Sequence, residues 1–156
     1  MRNFLYAMIA SLLIILMARP ANACFSMAAL VIDDIKYASV VVIGRIVDYE
    51  IVPNYARFNV LVDEVLVGQP PHVISVTWGN STFGLPKKMK EGPYLIGLRA
   101  PDSESPPLRG PSATVLPSQE PESLTVLQAS CAPAFIFDAS SAEAKEIREK
   151  LSTPPE

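Results

Sequence analysis

The sequence is poor in the side chains that carry out catalysis. Only one histidine and two cysteines occur among its 156 residues, and it has no glycine-rich phosphate loop, no His-Glu-x-x-His and no Cys-x-x-Cys motif. The histidine, His72, follows two prolines at a predicted turn, where a solvated loop residue is a simpler interpretation than a general base. Adjacent residues on a strand point to opposite faces, so Asp33–Asp34 and Asp63–Glu64 are not acid–base dyads. We therefore predict a protein that is not an enzyme and needs no cofactor.

Long hydrophobic runs are missing too, apart from one at the amino terminus. Arg2 precedes an apolar run over residues 4–17, and the tripeptide Ala-Asn-Ala at 21–23 stands directly before Cys24. A basic start, a short apolar stretch and an Ala-x-Ala site are the features that signal peptidase recognises. The run is shorter than the roughly 18 to 20 residues that span a bilayer, which argues against an uncleaved anchor. We predict a signal peptide over residues 1–23 and a secreted or periplasmic domain over residues 24–156.

Positive charge is scarce. The sequence has 13 Lys and Arg against 16 Asp and Glu, and the predicted cleavage removes Arg2 and Arg19. That leaves 11 basic residues and a net charge of −5. The one local basic cluster, at residues 87–90, suits a solvated turn as well as a phosphate site. Because binding to nucleic acid depends on cations that displace phosphate counterions, nucleic acid is not an expected partner.

The two cysteines allow a single disulfide. In an oxidising compartment Cys24 and Cys131 are most simply bonded to each other, which ties the first mature residue to the last third of the chain. A closed loop of this length restricts the unfolded state by about 4 to 5 kcal/mol in the chain-entropy model. The alternative is a lipoprotein, a membrane-attached or structural envelope component in which Cys24 carries the lipid. Ala21 stands where lipoprotein signals normally have a large aliphatic residue.

Alternating and β-branched residues predict a mainly β domain. The five predicted strands cover residues 39–48, 58–63, 73–78, 94–99 and 124–128. Gly44 predicts a bulge in the first strand. Residues 27–37 fit a short helix and a strand equally well. Five short strands and a helix at the end favour a small, closed antiparallel barrel, and an immunoglobulin-like sandwich is the alternative, although seven strands are hard to find.

The end of the chain has the pattern of a helix. Ser140 and Glu143 have the spacing of a capping box, and Glu146 and Lys150 that of an i,i+4 ion pair. One apolar stripe is formed by Ala144, Ile147 and Leu151.

Proline is concentrated in one segment. Six of the 15 prolines fall within residues 101–121, among Ser, Glu and Gly. Such a composition buries little apolar surface, so we predict a long, mobile surface loop, with a short hairpin arm at 113–116.

In their order along the chain, these features make the sequence resemble the netrin-like family, and especially the small bacterial secreted members of that family. The family includes the amino-terminal domain of the tissue inhibitors of metalloproteinases. The resemblance is carried by Cys24, the stretches at 38–47, 62–68 and 92–96, and the late Cys131. It implies a five-stranded, OB-fold-like Greek-key barrel with a C-terminal helix.

The resemblance also implies a mode of action. In the inhibitors the first cysteine is held by a disulfide while its α-amino group and carbonyl oxygen chelate the zinc of a protease. By that resemblance Cys24 would bind the zinc of a partner metalloprotease, and Phe25 would enter its specificity pocket. The binding segment would be Cys24, Phe25 and Ser26. Ser26 stands where the inhibitors have a second cysteine, and Phe25 where they have a small hydroxyl residue.

Overall fold

The computed structural model describes residue 24 and residues 27–53, 55–79, 84–109 and 120–153. A 3-10 helix (Ile32–Tyr37) comes first. It is followed by β1 (Val40–Val52), β2 (Tyr55–Val67), β3 (Val73–Trp78), β4 (Pro93–Arg99), β5 (Leu124–Val126), β6 (Ile136–Asp138) and the helix α1 (Ala142–Ser152). The predicted signal peptide and the predicted hairpin arm at 113–116 lie outside the described residues.

The first five strands close into a barrel. Neighbouring strands follow the order β1-β2-β3-β5-β4, and β4 pairs back with β1. This is the mainly β, five-stranded, OB-fold-like barrel with a C-terminal helix that the sequence predicted. One pairing differs from the purely antiparallel prediction, because β5 runs parallel to β3, with Val76 opposite Leu124. The chain between them contains β4 and the proline-rich segment, which is long enough for a crossover.

Side-chain alternation separates the barrel interior from its outer surface. On β2, Phe58 and Val60 are buried while Arg57 is exposed and Asn59 partly exposed, as expected for a strand with one face on a core. The interior contains Val40, Val42, Ala56, Phe58, Val60, Ile74, Val76, Trp78, Ile96, Leu98 and Val126. Both strands of the long β1–β2 hairpin contribute side chains to this interior, so the hairpin forms one wall of the barrel.

A second apolar layer lies outside the barrel, beneath the two helices. It contains Ile35, Val41, Ile43, Leu95, Leu127, Phe135, Ala144 and Ile147. Ala144 and Ile147 are fully buried, as the predicted apolar stripe of the helix requires. The sequence was compatible with both a helix and a strand at residues 27–37. The structure has a 3-10 helix at Ile32–Tyr37, which belongs to this layer.

The start of α1 differs from the prediction by one residue. Ser141 is the N-cap, and its hydroxyl oxygen accepts a hydrogen bond from the Ala144 amide at 3.2 Å. Ser140 instead donates its amide (2.9 Å) and its hydroxyl (2.6 Å) to the Asp138 carboxylate. The predicted capping box of Ser140 and Glu143 was therefore wrong, because Ser140 forms its hydrogen bonds within the turn after β6.

The ion pairs of α1 also differ from the prediction. Lys150 bonds Asp33 of the 3-10 helix at 2.6 Å rather than Glu146. The i,i+4 pair on the helix is Lys145 with Glu149, at 4.0 Å. Lys150 pairs with Asp33 of another helix and not with Glu146 of its own, so it links the two helices of the outer layer.

The described part of the proline-rich segment is attached more firmly than its composition indicates. Pro106 is buried. Arg109 forms a two-pronged hydrogen bond to the carboxylate of Asp34, with Nη2 to Oδ1 at 2.8 Å. Because Asp34 is only 3% exposed, residues 101–109 are tied to the 3-10 helix through a shielded ion pair.

Candidate binding site at the amino-terminal disulfide

Cys131 occupies a tight turn between β5 and β6. The Ala132 amide donates to the Ala129 carbonyl at 3.0 Å, and Gln128 and Ala134 form a bridge across the base of the turn. Cys131 has a φ of +63°, a left-handed backbone conformation that is uncommon for any residue except glycine. The turn therefore holds Cys131 in a conformation that an unconstrained cysteine would rarely adopt.

The predicted disulfide is confirmed. Cys24 and Cys131 are bonded, with their Cα atoms 5.5 Å apart across a sequence separation of 107 residues. A second attachment lies nearby, because the Ala28 amide donates to the Cys131 carbonyl at 2.7 Å. Phe25 and Ser26 lie outside the described residues. The segment that begins at Cys24 is thus fixed at two points on the same turn.

Side-chain hydrogen bonds attach this turn to the barrel. The indole N–H of Trp78, at the end of β3, donates to Gln128 Oε1 at 3.3 Å, and Gln128 Nε2 donates to the Ala132 carbonyl at 2.7 Å. Trp78 is 7% exposed and belongs to the barrel interior. A chain of contacts therefore runs from the core through Trp78 and Gln128 to the turn and to Cys24.

The remaining candidates from the sequence are dispersed. His72 is exposed, and its carbonyl accepts from the Val62 amide at 2.9 Å. The adjacent carboxylates have separate partners: Asp33 with Lys150, Asp34 with Arg109, Asp63 with Arg45 and Glu64 with Arg148. The hydrogen bond from Lys150 lowers the pKa of Asp33. Among the residues that the structure describes, no group of three or more His, Cys, Asp or Glu side chains could hold a metal ion.

A polar cleft on the outer surface of the barrel was missed by the sequence reasoning. It has a volume of about 670 Å³ and lies between the Asp48–Glu50 region of β1, the outward residues Asn59 and Ser75, and residues 120–123 before β5. The polar outward positions of β2 and β3 are visible in the sequence alternation. What the alternation does not show is that the segment before β5 folds over them to form a wall.

No helix within the described ranges is long and apolar enough to cross a membrane. No protein-family model matches this chain, and the curated proteins gave no significant match.

Proposed function

We propose that the protein is an exported, non-enzymatic OB-fold module that binds another protein through its amino-terminal segment. The observation that carries this proposal is the attachment of Cys24, by a disulfide to Cys131 and through the Ala28 hydrogen bond, to a turn anchored on the barrel core. A binding segment fixed in advance loses less conformational entropy on association. The resemblance to the netrin-like family favours inhibition of a zinc metalloprotease as the most specific form of this activity.

The proposed mechanism begins with removal of residues 1–23, which gives Cys24 a free α-amino group. An α-amine has a pKa near 8, so at neutral pH it can release its proton to water and bind a zinc ion through the freed lone pair. The amine and the Cys24 carbonyl oxygen would bind the metal of the protease together, while Phe25 would enter its specificity pocket. Ser26 cannot form the second disulfide of the inhibitors, and the Ala28 hydrogen bond to Cys131 supplies another restraint on the segment.

The direct test adds one alanine ahead of Cys24. We expect the mature protein to inhibit at least one zinc metalloprotease of a representative panel, and the extended form to lose inhibition while it unfolds at the same temperature. The added residue moves the amine away from the metal, and zinc–nitrogen bonds require about 2.0 to 2.1 Å.

Two results of this test would contradict the inhibitory mechanism. Equal inhibition by both forms would place the inhibitory contact elsewhere on the barrel. An absence of inhibition by both forms across the panel would exclude metalloprotease inhibition and leave only the broader binding module.

A further inference from the structure

We propose that the polar cleft on the outer face of β1, β2 and β3 binds a neutral saccharide. The cleft does not include Cys24 or Cys131 and has no part in the mechanism proposed above. Its volume of about 670 Å³ falls within the range of roughly 300 to 1,000 Å³ in which small-molecule sites occur. A site of this size would hold one or two sugar units, and its open side would let a longer glycan continue into solvent.

A bulge in β1 shapes one wall of the cleft. Val47 pairs with Asn59 and Glu50 with Arg57, so β1 has one more residue than β2 between these two pairs. Within the bulge Asp48 has a φ of +54°, in the left-handed region that a few residue types such as Asp and Asn tolerate best. Bulges of this kind redirect side chains, and here the bulge brings the Asp48 carboxylate beside Asn59.

A first row of polar groups crosses three strands of the barrel. The Ser75 hydroxyl on β3 donates to Asn59 Oδ1 at 3.0 Å, and Asn59 Nδ2 donates to Asp48 Oδ2 at 3.1 Å. An amide nitrogen has two hydrogens and a carboxylate has two oxygens, so this row keeps capacity both to donate and to accept. A sugar hydroxyl also donates and accepts, which makes it a matching partner.

A second row lies beside the first and contains the cation of the cleft. Arg57 Nε donates to Glu50 at 2.8 Å, and Arg57 Nη1 lies 3.5 Å from Glu120. Glu120 also accepts from the hydroxyls of Tyr55 at 2.9 Å and Ser123 at 3.0 Å. The hydrogen bond to Glu120 raises the pKa of Tyr55, and the one to Glu50 raises the pKa of Arg57. These contacts link the side chains of the second row to one another.

The distribution of charge disfavours an anionic ligand. Among the described residues that line the cleft, three carboxylates (Asp48, Glu50 and Glu120) surround one guanidinium, that of Arg57. The carboxylates repel an anion such as a phosphate or a uronate. The net charge of these four side chains is −2, so the charge of the cleft disfavours an anion but does not exclude a cation. A neutral polyhydroxyl compound matches both the donors and the acceptors of the two rows.

Tyr49 connects the wall of the cleft to the barrel interior. It lines the cleft, its ring packs against Phe58 with 5.9 Å between centroids, and its hydroxyl donates to the Pro86 carbonyl at 2.8 Å. Partial burial raises the pKa of the Tyr49 hydroxyl. The ring packs against the barrel interior and so fixes the β1 wall of the cleft in place.

The test is an NMR titration of the exported, disulfide-bonded chain labelled with nitrogen-15. The probes are glucose, galactose, mannose, N-acetylglucosamine, maltose and cellobiose. At least one of them is expected to shift the side-chain amide signal of Asn59 and the backbone amides of Asp48 and Ser75 in a saturable way. Glucuronate, which adds a negative charge to the glucose ring, is expected to shift them less than any neutral sugar that binds. Glucosamine, which adds a positive charge, tests the alternative that the cleft binds a cation.

Variants connect these shifts to the cleft. Asn59→Ala and Asp48→Asn are each expected to weaken binding about tenfold, since each removes or weakens a hydrogen bond to the ligand. Asp48→Asn keeps the shape of the side chain and its tolerance of the left-handed backbone, so the fold is preserved. The matched control is Asp63→Asn on the same hairpin, outside the cleft, which should bind like the unchanged protein.

Three outcomes would overturn the proposal. The first is that no neutral saccharide of the panel shifts the three signals. The second is that glucosamine or glucuronate shifts them more strongly than every neutral sugar, which would identify a site for ions. The third is that binding persists unchanged in both Asp48→Asn and Asn59→Ala.

Discussion

Gly44 in β1 occupies a position with no room for a side chain. A Cβ atom there would lie 2.5 Å from the Leu61 carbonyl oxygen and 2.8 Å from Val60 Cγ1. The register between β1 and β2 also shifts between Ile43 and Gly44, but the extra residue is Asp63 of β2, so the bulge lies on the partner strand and not in β1 as predicted. The glycine is needed for the close approach of β2.

We predict that Gly44→Ala lowers the free energy of unfolding by about 1 to 3 kcal/mol, because backbone atoms of β2 must move to admit the new methyl group. Gly97→Ala is the matched control, since its Cβ would meet the flexible end of Ile35 and the Phe135 Cβ, both at 3.1 Å. Urea denaturation of both variants measures the difference. A loss for Gly44→Ala no larger than that for Gly97→Ala would contradict this account.

Asp138 gives a prediction for the dependence of stability on pH. Hydrogen bonds from the hydroxyl and then from the amide of Ser140 lower its pKa from the ordinary value of 3.8. A carboxyl group whose pKa is lowered in the folded state stabilises the fold at pH values above its unfolded-state pKa. This stabilisation is lost as the pH falls through its folded-state pKa. We expect Ser140→Ala to raise the Asp138 pKa toward 3.8 in a carboxyl-carbon NMR titration. An unchanged titration curve would show that these hydrogen bonds do not hold the ionised form.

At the scale of elements, Arg109 is the described attachment of the proline-rich segment to the 3-10 helix. Arg109→Ala would leave Asp34, 3% exposed, without its cation. We expect this variant to lose about 1 to 3 kcal/mol of stability and to be cleaved faster between residues 101 and 121 in limited proteolysis. Arg45→Ala is the control, since its pair with Asp63 is exposed and should contribute less than about 1 kcal/mol. Equal cleavage rates in the two variants would mean that Arg109 does not hold the segment.

The elements that the sequence predicted well are those with strong local patterns. β3 matches its predicted bounds, and β4 begins one residue earlier than predicted, because their apolar residues are bounded by turn residues. β6 was missed, since a strand of three residues has no periodicity. It forms because the edge of β4 that does not face β1 is available for pairing at Leu95 and Ile96. The N-cap was misplaced by one residue because Ser140 and Ser141 are both suitable caps, and the Asp138 turn decides between them.

At the scale of the whole molecule, the disulfide connects Cys24 to the turn between the last two strands. We predict that the Cys24→Ser, Cys131→Ser double variant loses about 2 to 5 kcal/mol in the free energy of unfolding. The loop of 107 residues places the expected loss toward the upper end. Urea denaturation of the oxidised protein and of the double variant measures this. Equal denaturation midpoints would show that the bond does not stabilise the fold.

The two candidate sites were predictable to different degrees. The disulfide could be predicted because only two cysteines exist, so that pairing needs no geometry. The anchoring of its turn by Trp78 and Gln128 could not, since those residues are 50 positions apart in the sequence. The cleft depends on still more distant contacts, such as Tyr55 with Glu120 at a separation of 65 residues. Such contacts are determined by the closed topology of the barrel and leave no local pattern.

We propose above that the protein acts through a free amino terminus on a disulfide-bonded Cys24. Mass spectrometry of the protein purified from its native compartment tests it most directly. The account predicts a mature chain that begins at Cys24, with an unmodified α-amine and a mass two hydrogens below that of the reduced form. A diacylglyceryl group on Cys24 would contradict this proposal and identify a membrane-attached envelope protein instead. A chain that retains residues 1–23 would contradict it as well, because Cys24 would then have no free α-amine.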